Sequence, residues 1–328
     1  MYTHSAFSTQ KKERRQTDGT AKQSGQAEAV KDKRDGKNIV GEMQVASNPL
    51  SGALEIVVRS DPGMMRRYNE DAVFANPALG LVILADGMGG YNAGEVASSM
   101  AITGISAALE QDFFLHSPYA IGGAPGDLHV QRCLSRRIAA ANTAIYQTSM
   151  TQPECAGMGT TLVMAMFHDN AVIAAHLGDS RLYCLRGDEF RQLTHDHSFV
   201  QDQVDRGLMT AADARLSRNR GLLTRALGVD AIAAPDLRRH PARPGDIYLL
   251  CSDGLNDMLM DREIGKALRA QSDNLELAAA QLIQMANDMG GRDNVSVILI
   301  KVLREFPVQH TALFRQRRTG EHSRTLFE

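Results

Sequence analysis

Four aspartates in this 328-residue chain stand where a short apolar run meets a turn. Residues 81–85 (Leu-Val-Ile-Leu-Ala) lead into Asp86-Gly87, residues 247–252 lead into Asp253-Gly254, and residues 172–178 lead into Asp179. Asp293-Asn294 opens the run 295–300. If these runs are strands of neighbouring sheets, four carboxylates gather at one rim. Ionised carboxylates crowd together at a large electrostatic cost unless a cation holds them. Oxygen-only ligands select hard ions such as Mg²⁺ or Mn²⁺. The chemistry implied is metal-assisted hydrolysis.

Other residues bear on that reading. A single Asp-Gly is ordinarily a hairpin turn. Asp86-Gly87-Met88-Gly89-Gly90 is less easily dismissed, since three glycines in five residues let backbone approach a ligand closely. Upstream, Arg66-Arg67-Tyr68-Asn69-Glu70-Asp71 packs two cations and two acids before a strand. Taken alone it is an exposed charged turn. In a metal site, Glu70 and Asp71 face an ion or its water, and the planar fork of Arg66 suits a phosphate. His195 and His197 in Thr194-His195-Asp196-His197-Ser198 have a metal-ligand spacing, but they read as a structural turn or helix start with Asp196 and Ser198 as caps. Thr160-Thr161 reads as strand interior. No Cys-x5-Arg arrangement of a thiol phosphatase is present, and Cys251 reads as core packing.

Positioning these residues needs strands. Residues 54–59, 72–74, 81–85, 160–167, 171–177, 181–185, 190–193, 247–251 and 295–302 have strand character, those of 160–193 in antiparallel succession. Helices are predicted over about 93–110 and 128–149, separated by a Gly/Pro segment, and as a pair within 261–284. Leu275, Ala279, Leu282 and Ala286 form one buried helix face. Strand groups alternating with helix pairs predict the α+β class: two packed antiparallel sheets flanked by helix pairs, an α-β-β-α sandwich. The stretch 199–227 is less regular and rich in arginine.

Bulk composition narrows the possibilities. Apolar residues make up 43% and charged residues 23%, enough for a core. The net charge of -2 divides into +3 on residues 1–50, +2 on residues 304–328 and -7 between them. An acidic middle disfavours nucleic acid, which needs basic surface. Four scattered cysteines without a C-x-x-C pair indicate buried thiols in a reducing compartment. No apolar signal core or membrane-length run occurs, so a cytoplasmic protein off the membrane is expected. Residues 1–50 and 304–328 lack the apolar content to repay ordering and are expected to be a disordered extension and a flexible tail, around a folded domain at 51–303.

Seven short motifs, in order, resemble the metal-dependent Ser/Thr protein phosphatases of the PPM type (type 2C), particularly the bacterial branch. They are Arg66-x-x-Asn69-Glu70-Asp71, Asp86-Gly87-Met88-Gly89-Gly90, Gly157-Met158-Gly159-Thr160-Thr161, Gly178-Asp179-Ser180-Arg181, Thr194-His195-Asp196-His197-Ser198, Cys251-Ser252-Asp253-Gly254-Leu255 and Gly291-Arg292-Asp293-Asn294. The resemblance spans residues 55–302 and leaves out both tails. It implies two Mn²⁺ or Mg²⁺ ions between two central sheets, with a bridging water that attacks phosphorus. Asp86 resembles the bridging carboxylate and Gly87 a carbonyl ligand. Asp253 and Asp293 resemble ligands of the other ion, and Glu70 and Asp71 act through bound water. Asp179, with Asp253, resembles a weaker third site, and Arg66 the grip on substrate phosphate. Eukaryotic members often have a histidine where this chain has Met88, which cannot donate a proton. The family places a mobile flap near residues 201–226, whose arginines are candidates for receiving substrate.

The expected activity is hydrolysis of phosphoserine and phosphothreonine in proteins, opposing a Ser/Thr kinase in signalling, by a monomeric enzyme. Two readings compete. A catalytically silent sensor or binding protein on the same fold would lack one of Asp86, Asp253 and Asp293, all present here. A two-metal hydrolase of small phosphates would need a base-binding aromatic pocket, and the chain has no Trp.

Overall fold

Side-chain alternation along β3 (Leu81–Met88) sets the order of layers. Leu81, Ile83 and Ala85 point into a core shared with two helices, while Val82 and Leu84 point into a core between two sheets. A computed structural model of the chain describes residue 48 and residues 50–89, 93–115 and 126–307. Most of the expected N-terminal extension, most of the C-terminal tail, Gly90 and residues 121–125 of the Gly/Pro segment lie outside the described residues.

One sheet has the spatial order β2 (Asp71–Asn76), β3, β5 (Leu162–His168), β6 (Ala171–Leu177), β9 (Asp236–Pro241), with the short β4 (Gly159–Thr160) on the end of β3. The other runs β1 (Leu54–Asp61), β11 (Val295–Val302), β10 (Ile247–Cys251), β7 (Arg181–Arg186), β8 (Glu189–Gln192). All pairings are antiparallel. Helices α1 (Ala93–Leu115) and α2 (Gly126–Thr151) cover the first sheet through Ile105, Leu109, Leu134 and Ile138. Helices α6 (Asp261–Ala270) and α7 (Leu275–Asp288) cover the second through Ile264, Leu268, Leu275 and Leu282. The result is the α-β-β-α sandwich of the α+β class. Between the sheets Phe167 meets Tyr248 edge-on at 5.3 Å and Phe306 at 6.2 Å. That core takes in Leu50 and Phe306, which flank the expected limits 51–303.

Several elements depart from the sequence-based expectation. The Asp86-Gly87 step is not a turn: β3 runs on through Met88 because Gly87 and Met88 pair with Thr160 and Gly159. Residues 160–193 do not make one run of neighbours. β5 and β6 belong to one sheet and β7 and β8 to the other, so the chain changes sheets at 178–180. β9 was not expected, since Asp-Leu-Arg-Arg-His-Pro has no apolar alternation; it is an edge strand, where Pro and charge are tolerated. The irregular stretch 199–227 holds two short helices, α3 (Phe199–Asp205) and α4 (Ala211–Leu216), capped by Ser198 and Thr210. A one-turn helix, α5 (Asp253–Asn256), follows β10 directly.

Two changes of sheet occur at the same rim. The loop from β1 to β2 carries Arg66 and Glu70, and the turn from β6 to β7 carries Asp179. That rim holds the site.

Candidate active site

Each aspartate reaches the rim from a different element. Asp86 lies on β3, Asp179 follows β6, Asp253 opens α5 after β10, and Asp293 precedes β11. With Arg66, Glu70, Gly87 and Met88 they line one cavity of about 270 Å³. Arg66 is the one cation among its described lining residues, and its guanidinium donates to Asp293 Oδ2 at 2.7 Å. Asp71 does not line the cavity. It stands directly across the β2–β3 ladder from Asp86 and accepts from Ser252 Oγ at 2.8 Å, a bond between the two sheets.

Backbone packing fixes this rim. A side chain on Gly87 would strike the Gly94 carbonyl oxygen at 2.1 Å, so only glycine lets β3 approach the start of α1. Thr161 accepts from the Asp86 amide at 3.0 Å and shares a hydroxyl contact of 2.7 Å with Ser180, while Thr160 donates to the Asp86 carbonyl at 2.9 Å. The two threonines therefore clamp the strand beneath Asp86. Asn294 accepts from the Glu70 amide at 2.8 Å and donates to the carbonyls of Pro62 and Tyr68 at 3.0 and 2.9 Å. It staples the Arg66 loop to the start of β11. Ser252, Asn294 and Ser180 carry no signal of these roles in the sequence, because their partners are remote along the chain and only the fold brings them together.

The electrostatics call for cations. Burial, then the charges of Asp71, Asp253, Asp179 and Asp293, pushes Asp86 well above the usual carboxylate range. Asp253 is driven up in the same way, by burial and then by Asp179, Asp257 and Asp293. Burial raises Asp71 to about 6 and Asp179 to about 7. Glu70 is also raised, by burial first, against the opposing pull of Arg66. Asp71 Oδ1 and Asp253 Oδ1 are sealed from solvent and accept no hydrogen bond among the described residues. A buried carboxylate oxygen without a donor is costly, and a divalent ion removes that cost for several at once. The donors at the rim are oxygens, which suits Mn²⁺ or Mg²⁺.

The histidines of the 194–198 motif lie apart from this cavity. His195 bonds Asp205 at 2.7 Å. His197 is buried and stacks on His176 with ring centroids 4.5 Å apart and planes 17° apart. Asp236 stands 3.5 Å from His197 Nε2, which completes a group with metal-ligand composition. However, His197 Nδ1 accepts from the Gly178 amide at 3.2 Å, so the proton of the neutral ring sits on Nε2. The group is packing beneath the 178–180 crossing. Met88 extends its terminal methyl toward Gly159 and brings no proton donor. Cys251 is buried and its thiol is pushed up by burial.

Known proteins share this fold. The sequence profile of the family "Protein phosphatase 2C" matches residues 74–295. The serine/threonine protein phosphatase PstP of Mycobacterium tuberculosis is 41% identical over 250 residues, 76% of this chain and 45% of that protein. The chain thus spans about half the length of that relative. The serine/threonine phosphatase stp of Listeria innocua is 37% identical over 246 residues, 74% of this chain and 94% of that protein. A crystal structure of the catalytic domain of PstP in complex with two manganese ions superposes with a TM-score of 0.65 at 38% identity, covering 76% of this chain and 98% of that one.

Proposed function

The chain belongs to the protein phosphatase 2C family, and from that premise we propose that it removes phosphate from phosphoserine and phosphothreonine in proteins, with two Mn²⁺ or Mg²⁺ ions. The observation that carries the reading is the convergence of Asp86, Asp179, Asp253 and Asp293 on one cavity with a single arginine at its wall. Asp86 and the Gly87 carbonyl would hold one ion, with Asp86 shared by both. Asp253 and Asp293 would hold the second, Glu70 and Asp71 would act through its hydration, and Asp179 with Asp253 would take a weaker third. When bound, such ions supply a water of lowered pKa and neutralise phosphoryl oxygens.

The protein's own groups do the rest. Arg66 presents a guanidinium to the phosphate and pairs with Asp293 while it waits, so it is oriented before substrate arrives. Ser252 holds Asp71, and Thr160 and Thr161 hold Asp86, so these acids need little reorganisation during the reaction. Met88 cannot donate a proton, so the leaving serine or threonine oxygen would take its proton from water in the site or from another group. Turnover of this kind opposes a Ser/Thr kinase in signalling. Among the described residues no helix is long and apolar enough to cross a membrane.

The test is hydrolysis of a phosphothreonine peptide with and without Mn²⁺. Activity should require the ion, vanish with chelator and fall at least about 100-fold in Asp253→Asn. Arg66→Ala should lower kcat/KM by about 10- to 100-fold with the melting temperature unchanged. Full activity of Asp253→Asn would remove the metal assignment.

A further inference from the structure

A second cavity, of about 470 Å³, adjoins the first and shares Asp179 as a wall residue. It lies where α3 and α4 face α5 and the start of α6. Val200, Val204, Ala214 and Met260 give it an apolar side. Its volume is within the range of ligand sites, roughly 300–1,000 Å³.

Four arginines and four aspartates line it, and they are paired unevenly, since Asp196 and Asp261 both face Arg181. Arg181 is held by Asp196 at 2.6 Å, and Arg220 by Asp257 at 2.7 Å. Two further arginines on the wall, Arg215 and Arg262, are exposed and have no carboxylate partner among the described residues. Arg215 donates only a long bond, 3.4 Å, to the Leu259 carbonyl. Of the arginines in 201–226, then, Arg220 and Arg225 are spent on Asp257 and Asp236, and Arg215 is the one that lines the cavity with its charge uncommitted.

We infer that this cavity is a specificity subsite for an acidic side chain of the phosphoprotein, close in sequence to the phosphorylated residue. The inference rests on the phosphatase reading above. The two cavities share Asp179 as a wall residue, and an extended chain advances ~3.3 Å per residue. A substrate whose phosphate is at Arg66 can therefore lay a neighbouring Asp or Glu across Asp179 to Arg215 and Arg262. Its aliphatic stem meets Val200, Val204 and Met260, and its carboxylate meets the two guanidiniums. A second phosphate on the same peptide offers charge of the same sign but about -1.5 to -2 at pH 7, and is a separate arm of the test.

The test uses the full chain with Mn²⁺ and four substrates: p-nitrophenyl phosphate, and phosphothreonine peptides whose flanking residues are Glu, Gln or a second phosphoserine. The wild type should favour the Glu peptide over the Gln peptide by about tenfold in kcat/KM, mainly through KM. Arg215→Glu/Arg262→Glu should abolish or reverse that preference and leave p-nitrophenyl phosphate within about twofold. Arg215→Lys/Arg262→Lys should retain most of it. A stronger gain with the second phosphoserine than with Glu would overturn the carboxylate assignment. An absent preference, one that survives charge reversal, or an equal loss on every substrate would overturn the subsite. Hydrolysis of p-nitrophenyl phosphate with no turnover of any peptide would instead overturn the phosphatase reading, and the subsite with it.

Discussion

Asp71 and Asp86 occupy facing positions on β2 and β3, two acids opposed across one ladder at the mouth of the site. Like charges directly opposite each other weaken a strand pair, and here both side chains are also half-buried, which raises the cost of charging them. The metal-free protein therefore carries a built-in repulsion that cations relieve. Asp86→Asn should raise the melting temperature of chelated protein by a few degrees, about 2–4 °C per kcal/mol gained, while its activity collapses. Mn²⁺ should stabilise the wild type and leave the variant nearly unmoved. Differential scanning calorimetry at both metal conditions decides it, and a variant that melts lower than chelated wild type would count against the repulsion.

The same burial sets a pH dependence. Asp179 is raised to about 7 and Asp71 to about 6, against ~3.9 in an unfolded chain. Between about pH 4 and 7 the folded protein keeps protons that the unfolded chain has released, so these groups cost stability as pH rises through that window. His197 opposes them: burial and then His176 hold it at about 4, which adds stability as pH rises to about 6.5. The clean readout is a difference. In chelator, the melting-temperature gain of Asp179→Asn over wild type should grow by roughly 5–10 °C from pH 5 to pH 8. A constant gain would contradict the raised carboxyl.

Gly63 supplies a third test. Its φ is +75°, and an added Cβ would lie 2.1 Å from the Asp293 carbonyl oxygen. Gly207 has a similar φ of +70° but open space around it. Gly63→Ala should cost at least ~2 kcal/mol and weaken Mn²⁺ binding, because the Arg66 loop and Asp293 would be forced apart. Gly207→Ala should cost about 1 kcal/mol and leave Mn²⁺ binding alone. Equal effects of the two would show that the contact does not position the site.

How much of this was readable beforehand follows from the range of each interaction. The strands at 81–85, 247–251 and 295–302 are apolar on both faces, since each lies between helices and a second sheet, and that pattern is local. So is the placement of acids at their ends. The sheet to which a strand belongs is not local: β6 and β7 are nearly contiguous, yet Gly178, with φ of +99°, sends them to different layers. β9 is held by its pairing with β6 and has no apolar face to announce it. At the site, the acids stood out by type, whereas Ser252, Asn294 and Ser180 are ordinary residues until Asp71, Glu70 and Thr161 are brought beside them. Nor does sequence tell that Arg220 is paired and Arg215 is not.

Glu70, Asp71 and Asp86 belong to one sheet's edge of the rim, Asp253 and Asp293 to the other's, and the Ser252–Asp71 and Glu70–Asn294 hydrogen bonds tie these acids across the seam. Ions held from both sides would act as rivets. Any slip of one layer over the other would scatter the ligands well before either layer melted, so heat should silence the enzyme at temperatures where its circular dichroism still looks native.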